Sequence, residues 1–318
     1  MKPFASLSLD LDNQWSYMKT HGDAGWELFP SYLDLVVPRF LSIMKARSQR
    51  ITVFVVGQDA ALEKNQAALR LVADAGHEIG NHSFHHEPWL HLYSEPDVER
   101  ELARAEEAIE RATGRRPHGF RGPGYSLSPT VLRVLLRRGY RYDCSTFPTF
   151  LGPLARAYYF MTSDLPPEER QKRKELFGGW KEGLRPIDPY LWQLPEGSLV
   201  EIPVTTLPVL RVPIHLSYVL YLNIYSQVLA RAYFATALAT CRLFRTSPSI
   251  LLHPLDFISG EDVDALSFFP GMRLPLERKL NCVTACLDML AARFEVRCME
   301  EQADALVHRS NLPVEVAS

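Results

Sequence analysis

The chain is 318 residues long, 47% hydrophobic and 23% charged, with a formal net charge of −2 and a pI near 6.6. This is an ordinary globular composition, long enough for one barrel-sized domain or two smaller ones. The near-balanced charge gives no electrostatic reason to expect nucleic acid as a partner.

In chain order, strand-like runs fall at 4–11, 51–56, 77–81, 118–121, 140–143, 199–204 and 249–253. Helical stretches lie between most of them. Residues 59–75 carry Leu62, Leu69, Val72 and Ala73 as apolar positions and stop at Gly76, a residue suited to a helix C-terminus. Residues 95–112 follow Ser94 as N-cap, with Pro96 in the first turn and Gly114 beyond the end. Residues 129–138 start at Ser128-Pro129 and stop at Gly139. This alternation predicts a parallel α/β fold with right-handed crossovers. Seven strands suit a closed or nearly closed barrel, with an open doubly wound sheet as the alternative.

Residues 146–195 read as an insertion after strand five, rich in proline and aromatics: Phe147, Phe150, Tyr158, Tyr159, Phe160, Phe177, Trp180, Tyr190 and Trp192. Its middle, 168–175, has the pattern of an exposed helix. The insertion is either a lid over the barrel mouth or a packing element on its side. In the apolar stretch 214–244, Asn223, Gln227 and Arg231 recur at four-residue spacing, which predicts one amphipathic buried helix rather than a membrane span. The alternative rests its apolar surface, with the insertion's aromatics, on a bilayer as a peripheral membrane contact. Segment 272–318 reads as a C-terminal helical extension, two helices around a short strand. The whole of 1–318 is expected to form one catalytic domain.

Five cysteines (Cys144, Cys241, Cys282, Cys286, Cys298) are odd in number and scattered. They suit buried thiols better than zinc ligands or disulfides. The first strand begins by Phe4, leaving no room for a signal peptide. With free thiols, that points to the cytoplasm.

The residues that carry chemistry cluster at strand ends. Asp10 and Asp12 share one face at the end of strand one, about 7 Å apart at ~3.3 Å per residue. Two such acids repel unless a cation or a positive side chain lies between them. His82 and His86, four apart, are expected on one face of a helical turn. A carboxylate with two imidazoles is a sound three-ligand set for a divalent ion. Arg121 ends strand four, Asp143 strand five and His253 strand seven, as in barrels whose active sites lie at the C-terminal strand ends. His85 is a near miss, spaced to pair with His82 at i, i+3. His21, His77, His91, His118, His215 and His308 read as surface or satisfied core residues.

At these residues the chain resembles the NodB-type polysaccharide deacetylases, the carbohydrate esterases of family 4. Gly76-His77-Glu78-Ile79-Gly80-Asn81 followed by His82-Ser83-Phe84-His85-His86 is similar to the family's His-Ser/Thr-x-x-x-His motif and the strand before it. Phe54-Val55-Val56-Gly57 looks like its second strand. The family's adjacent aspartates appear as Asp10-Leu11-Asp12-Asn13, an Asp-x-Asp variant. Its Arg-x-Pro-Tyr motif appears as Arg121-Gly122-Pro123-Gly124-Tyr125, with one extra residue before the tyrosine. Asp143 and Leu251-Leu252-His253 are similar to its fourth and fifth motifs. The likeness covers 4–145 and 198–258.

The resemblance implies a distorted (β/α)7 barrel, a divalent metal (commonly zinc) and hydrolysis of an N-acetyl group on an amino sugar. It implies that Asp12, His82 and His86 hold the metal and that Asp10 is the base, oriented by Arg121. His253 would be the acid, tuned by Asp143, and the backbone N–H of Gly124 or Tyr125 would complete an oxyanion hole. The Asp-x-Asp spacing leaves open which acid binds metal. Three functions fit these residues. The first is an N-deacetylase on an amino sugar or glycan, small or lipid-carried. The second is a related hydrolase of a formamide, a cyclic imide or an allantoin-like ring. The third is a non-catalytic glycan- or lipid-binding module.

Overall fold

Serine and leucine alternate through Phe4–Leu11 (β1), and the two faces of that strand meet different surroundings. Leu7, Leu9 and Leu11 pack outward against helices, in one core with Val36, Val37 and Phe40 of the helix Leu33–Lys45 and Leu69 and Val72 of Glu63–Asp74. Ser6, Ser8 and Asp10 are also buried. Arg121 reaches both Ser8 Oγ, at 2.9 Å, and Asp10, so that face looks into a barrel interior with polar occupants. The structure, a computed structural model, describes residues 2–152, 180–307 and 312–317.

All seven expected strands form: β1, Thr52–Val55 (β2), Glu78–Asn81 (β3), Gly119–Phe120 (β4), Tyr142–Asp143 (β5), Gly197–Glu201 (β7) and Ser249–Leu252 (β8). Their order is β7-β5-β4-β3-β2-β1-β8, each pair parallel. The two ends of this path meet beyond β7, where Thr205 N–H donates to the Ser249 carbonyl at 3.0 Å and Ser249 N–H to Thr205 Oγ1 at 2.7 Å. This is a distorted seven-stranded barrel rather than an open doubly wound sheet. Two of its strands need glycine, because a Cβ at Gly80 would stand 2.4 Å from the Phe54 ring and one at Gly119 2.1 Å from the Tyr142 ring.

Among the described residues, three further strands lie outside the ring. Tyr190–Leu194 (β6) runs antiparallel to β7, Val314–Val316 (β10) adds to β6, and Glu295–Arg297 (β9) pairs with the start of β1. Tyr190 and Trp192 are buried against Leu132 and Leu135 on the barrel's flank, so they are packing residues and not part of a lid. Tyr158, Tyr159, Phe160, Phe177 and the helix expected at 168–175 lie outside the described residues. The base of the barrel is filled by the helix Met299–Val307. Its Met299, Ala303 and Leu306 join Phe54, Tyr142, Cys144, Val200 and Ile202 in the interior cluster.

Two helical expectations need correction. The run 59–75 is two helices, Gly57–Ala61 and Glu63–Asp74, separated by extended Leu62. The stretch 214–244 is also two helices, Leu216–Tyr225 and Gln227–Phe244, broken at Ser226. Ser226 is extended and its hydroxyl accepts the Leu229 N–H, so it caps the second helix. The break separates the polar residues: Asn223 is buried, whereas Gln227 and Arg231 are exposed.

Candidate active site

The site lies where the strands of the barrel end. Asp10 and Asp12 leave β1, and the loop after β3 brings in His82 and His86. That loop is not the helical turn expected from the spacing. Ser83 and His86 both take left-handed backbone conformations, with φ of 61° and 54°. Such conformations cost on the order of 1 kcal/mol or more and persist only where surroundings enforce them. Here Asn81 Oδ1 accepts the Ser83 N–H at 2.8 Å, Gly57 N–H donates to the Ser83 carbonyl at 2.8 Å, and Ser83 Oγ accepts the His86 N–H at 3.2 Å.

The result is convergence. His86 Nε2 lies 2.9 Å and His82 Nε2 3.4 Å from Asp12 Oδ1, and one ligand atom from each of the three residues falls within 4.8 Å of the others. Asp12 Oδ1 is buried yet makes no hydrogen bond. Burial would raise the Asp12 carboxyl, but the imidazoles of His86 and His82 hold it well below the usual carboxylate range. His82 Nδ1 is committed to the Arg121 carbonyl at 2.6 Å, which fixes the tautomer that turns the Nε2 lone pair inward. A buried carboxylate oxygen without a donor, facing two imidazole nitrogens, fits a divalent cation. His85 is absent from this group, its Nδ1 held by Glu101 at 2.7 Å.

Asp10 plays a different part. Its Oδ1 is 2.7 Å from Arg121 Nη1 and its Oδ2 4.0 Å from His82 Nε2. Arg121 is fully buried, held further by the Cys144 carbonyl at 3.1 Å and lying over the Phe54 ring. Of the two acids, Asp12 therefore groups with the histidines and Asp10 with the arginine.

His253 does not meet Asp143. In β5 the side chains of Tyr142 and Cys144 enter the interior, so by parity Asp143 points outward. It sits in register with Glu201 of β7, and its carboxyl takes the Ser145 hydroxyl at 2.6 Å. Ser145 Oγ in turn accepts the Gly122 N–H at 2.8 Å, so Asp143 braces the Arg121–Tyr125 loop. Burial, then Glu201 beside it, pushes the Asp143 carboxyl well up. The acid that faces His253 is Asp256, which accepts the His253 N–H at 2.8 Å and the Ser217 hydroxyl at 3.0 Å. Ser217 Oγ lies 3.1 Å from His253 Nδ1. Ser217 thereby links the His253 ring to the Asp256 carboxyl group. The sequence signal for Asp256 is the N3 acid after His253-Pro254 at a helical start.

The loop after β4 also differs in detail. Tyr125 N–H is spent on the Gly122 carbonyl at 2.9 Å, which removes Tyr125 as a backbone oxyanion donor and leaves Gly124, exposed at φ 57°. The Tyr125 ring stacks on Phe147, with centroids 4.7 Å apart. His215, read from sequence as a bystander, stands with its ring 5.8 Å from that of His253. Only the tertiary fold shows this.

Behind the site, Asn13 caps the helix Gln14–His21 and ties it to a buried acid missed in the sequence. Asp59 Oδ1 accepts from Asn13 Nδ2 at 2.7 Å, Trp15 Nε1 at 2.9 Å and Asn65 Nδ2 at 3.0 Å. Burial raises the Asp59 carboxyl to about 7, despite these donors.

Comparison with known proteins finds similarity over part of the sequence and over the fold. Residues 23–142 match the model of the polysaccharide deacetylase family. The peptidoglycan deacetylase of Helicobacter pylori is 29% identical over 128 residues, 40% of this chain and 41% of that protein. The peptidoglycan-N-acetylmuramic acid deacetylase of Bacillus subtilis is 34% identical over 106 residues, 33% of this chain and 39% of that protein. These alignments thus span about two fifths of the relatives' own length. A solved Mycobacterium smegmatis chain assigned as a polysaccharide deacetylase superposes with a TM-score of 0.61 at 19% identity, covering 98% of this chain and 97% of that one. One from Pseudomonas aeruginosa gives 0.59 at 17% identity, covering 96% and 91%. At such identities the superpositions speak for the fold alone. Residues 23–142 thus resemble the polysaccharide deacetylase family, and nearly the whole chain shares the fold of the two solved chains.

Proposed function

We propose that this protein is a metal-dependent hydrolase that removes the N-acetyl group from an amino sugar, either small or lipid-carried. The observation that carries this reading is the convergence of Asp12, His82 and His86 beside the buried Asp10–Arg121 pair. The names of the Helicobacter and Bacillus relatives support an N-acetylated glycan as the substrate class.

Asp12, His82 and His86 would hold the cation, with zinc suited to two imidazoles and a carboxylate. When bound, a divalent cation supplies Lewis acidity toward the acyl oxygen and acidifies water. Asp10 accepts the proton of the attacking water, and Arg121 at 2.7 Å holds its carboxyl group in place. The Gly124 N–H is the backbone donor for the developing oxyanion. His253 gives a proton to the departing nitrogen, its ring oriented by Ser217 and Asp256. Water adds across the C–N bond, releasing acetate and a free amine.

The lipid-carried form of the substrate draws support from the helix Leu216–Tyr225. Ser217 and Tyr218 at its start border the site, while Tyr221 and Tyr225 at its end, with Val228 and Leu229 beyond the break, form an exposed apolar corner. Among the described residues no helix is long and apolar enough to cross a membrane, so the contact would be peripheral. The five cysteines are all buried and unpaired, which supports a reducing compartment such as the cytoplasm. The test is elemental analysis of the purified protein together with free-amine release from N-acetyl sugars, free and lipid-linked. Release from none of them, with zinc bound, would sink the proposal.

A further inference from the structure

His215 lies beside the site, and the mechanism gives it no task. It is 6% exposed, and its Nδ1 is buried with no hydrogen-bond partner. Its ring meets Tyr218 edge-on at 4.6 Å, Phe147 at 5.7 Å and His253 at 5.8 Å, and Phe147 stacks on Tyr125. These rings form one continuous wall from the Arg121–Tyr125 loop to the proposed acid. A histidine kept for packing alone would be better served by phenylalanine, because a buried polar atom without a partner is destabilising. Ligand sites, by contrast, are apolar walls carrying a few placed polar groups.

We propose that His215 is a substrate-binding residue, its Nδ1 making a hydrogen bond to a hydroxyl or amide group of the sugar held against the Phe147–Tyr218 wall. The inference rests on the deacetylase reading and adds the group that selects a polar, ring-shaped ligand. Burial, then the neighbouring His253 and Arg121, holds the His215 imidazole well below its ordinary range, so it stays neutral and does not compete with His253 as an acid. A neutral imidazole pairs with either partner, as donor or acceptor according to its tautomer.

The test compares wild type, His215→Phe and His215→Asn, all zinc-loaded. The readouts are calorimetric binding of N-acetylglucosamine and its oligomers, steady-state kinetics and thermal midpoint. Phenylalanine keeps the wall and removes the nitrogen, whereas asparagine returns a polar atom near Nδ1. The expected result is a rise in Kd and KM of about 10- to 100-fold for His215→Phe, with kcat within a few-fold and the midpoint unchanged or higher. His215→Asn should recover most of the affinity. Unchanged Kd and KM in His215→Phe would overturn the inference, as would a loss confined to kcat, which would assign His215 to the acid instead. A wild type that neither binds nor cleaves these sugars overturns the deacetylase reading along with it.

Discussion

Asp256 accepts the backbone N–H of His253 at 2.8 Å and reaches its ring through Ser217. Asp143, which ends the strand where the family resemblance implies such an acid, is occupied with Ser145 and Glu201. Asp256→Asn should therefore lower turnover by roughly tenfold to a hundredfold, a part of what a positioned acid contributes. Asp143→Asn mimics the protonated carboxyl that burial favours, so its turnover at neutral pH should stay within a few-fold of wild type. Side-by-side kcat values decide; equal losses in both variants would return Asp143 to the acid's circuit.

The base and the ligands should separate by what they cost. Asp12→Ala and His82→Ala are expected to lose zinc and activity together, as read by elemental analysis. Asp10→Asn should keep zinc and lose turnover by about 10²–10⁴-fold. A well-folded Asp10→Asn with a normal rate would contradict its role as base.

Arg121 is fully buried and paired with Asp10. Arg121→Met leaves the Asp10 carboxylate uncompensated inside the barrel, at a cost of about 3–5 kcal/mol. The double variant Arg121→Met with Asp10→Asn removes both charges and should be more stable than the single one. Denaturant unfolding of the three proteins checks the order.

Asp59 predicts a pH dependence of stability. Its folded value of about 7 lies above an unfolded value of about 3.9, so the fold favours the protonated form. The associated stability is fully present below pH ~4 and is lost as pH rises through about 7, on the order of 4 kcal/mol in all. Asp59→Asn should flatten the profile across that window. Parallel profiles for variant and wild type would show that another group titrates.

If the corner at Ser226 meets a bilayer, charging it should matter. The double variant Tyr225→Glu with Val228→Glu is expected to lose cosedimentation with lipid vesicles while keeping zinc and turnover on a free sugar. Both side chains are exposed, at 70% and 78%, so the fold should tolerate the change.

Much of this architecture was legible because β-strands of a parallel barrel read as short apolar runs and helices between them carry Ser, Pro and Gly at their ends. The seven strands and the helices Glu95–Thr113 and Pro129–Arg138 follow from that punctuation. Residue spacing misled where backbone conformation left the regular menu. His82 and His86 converge through two left-handed residues rather than a helical turn. The break at Ser226 was hidden because a serine can cap a helix or sit within one. Asp143 shows the limit of counting strand ends, since a shift of one residue reverses the face. Ser217 and His215 start one helix and meet His253 and Asp256 from another segment, and no local pattern announces such a meeting.

The ring of strands is joined for most of its circumference by ladders, but between Thr205 and Ser249 it is fastened by a pair of hydrogen bonds, one of them to a side chain. A wall fastened this way is weakest at its clasp. The ends of the chain segments bearing Thr205 and Ser249 should exchange their amide protons sooner than those of β1 and β2.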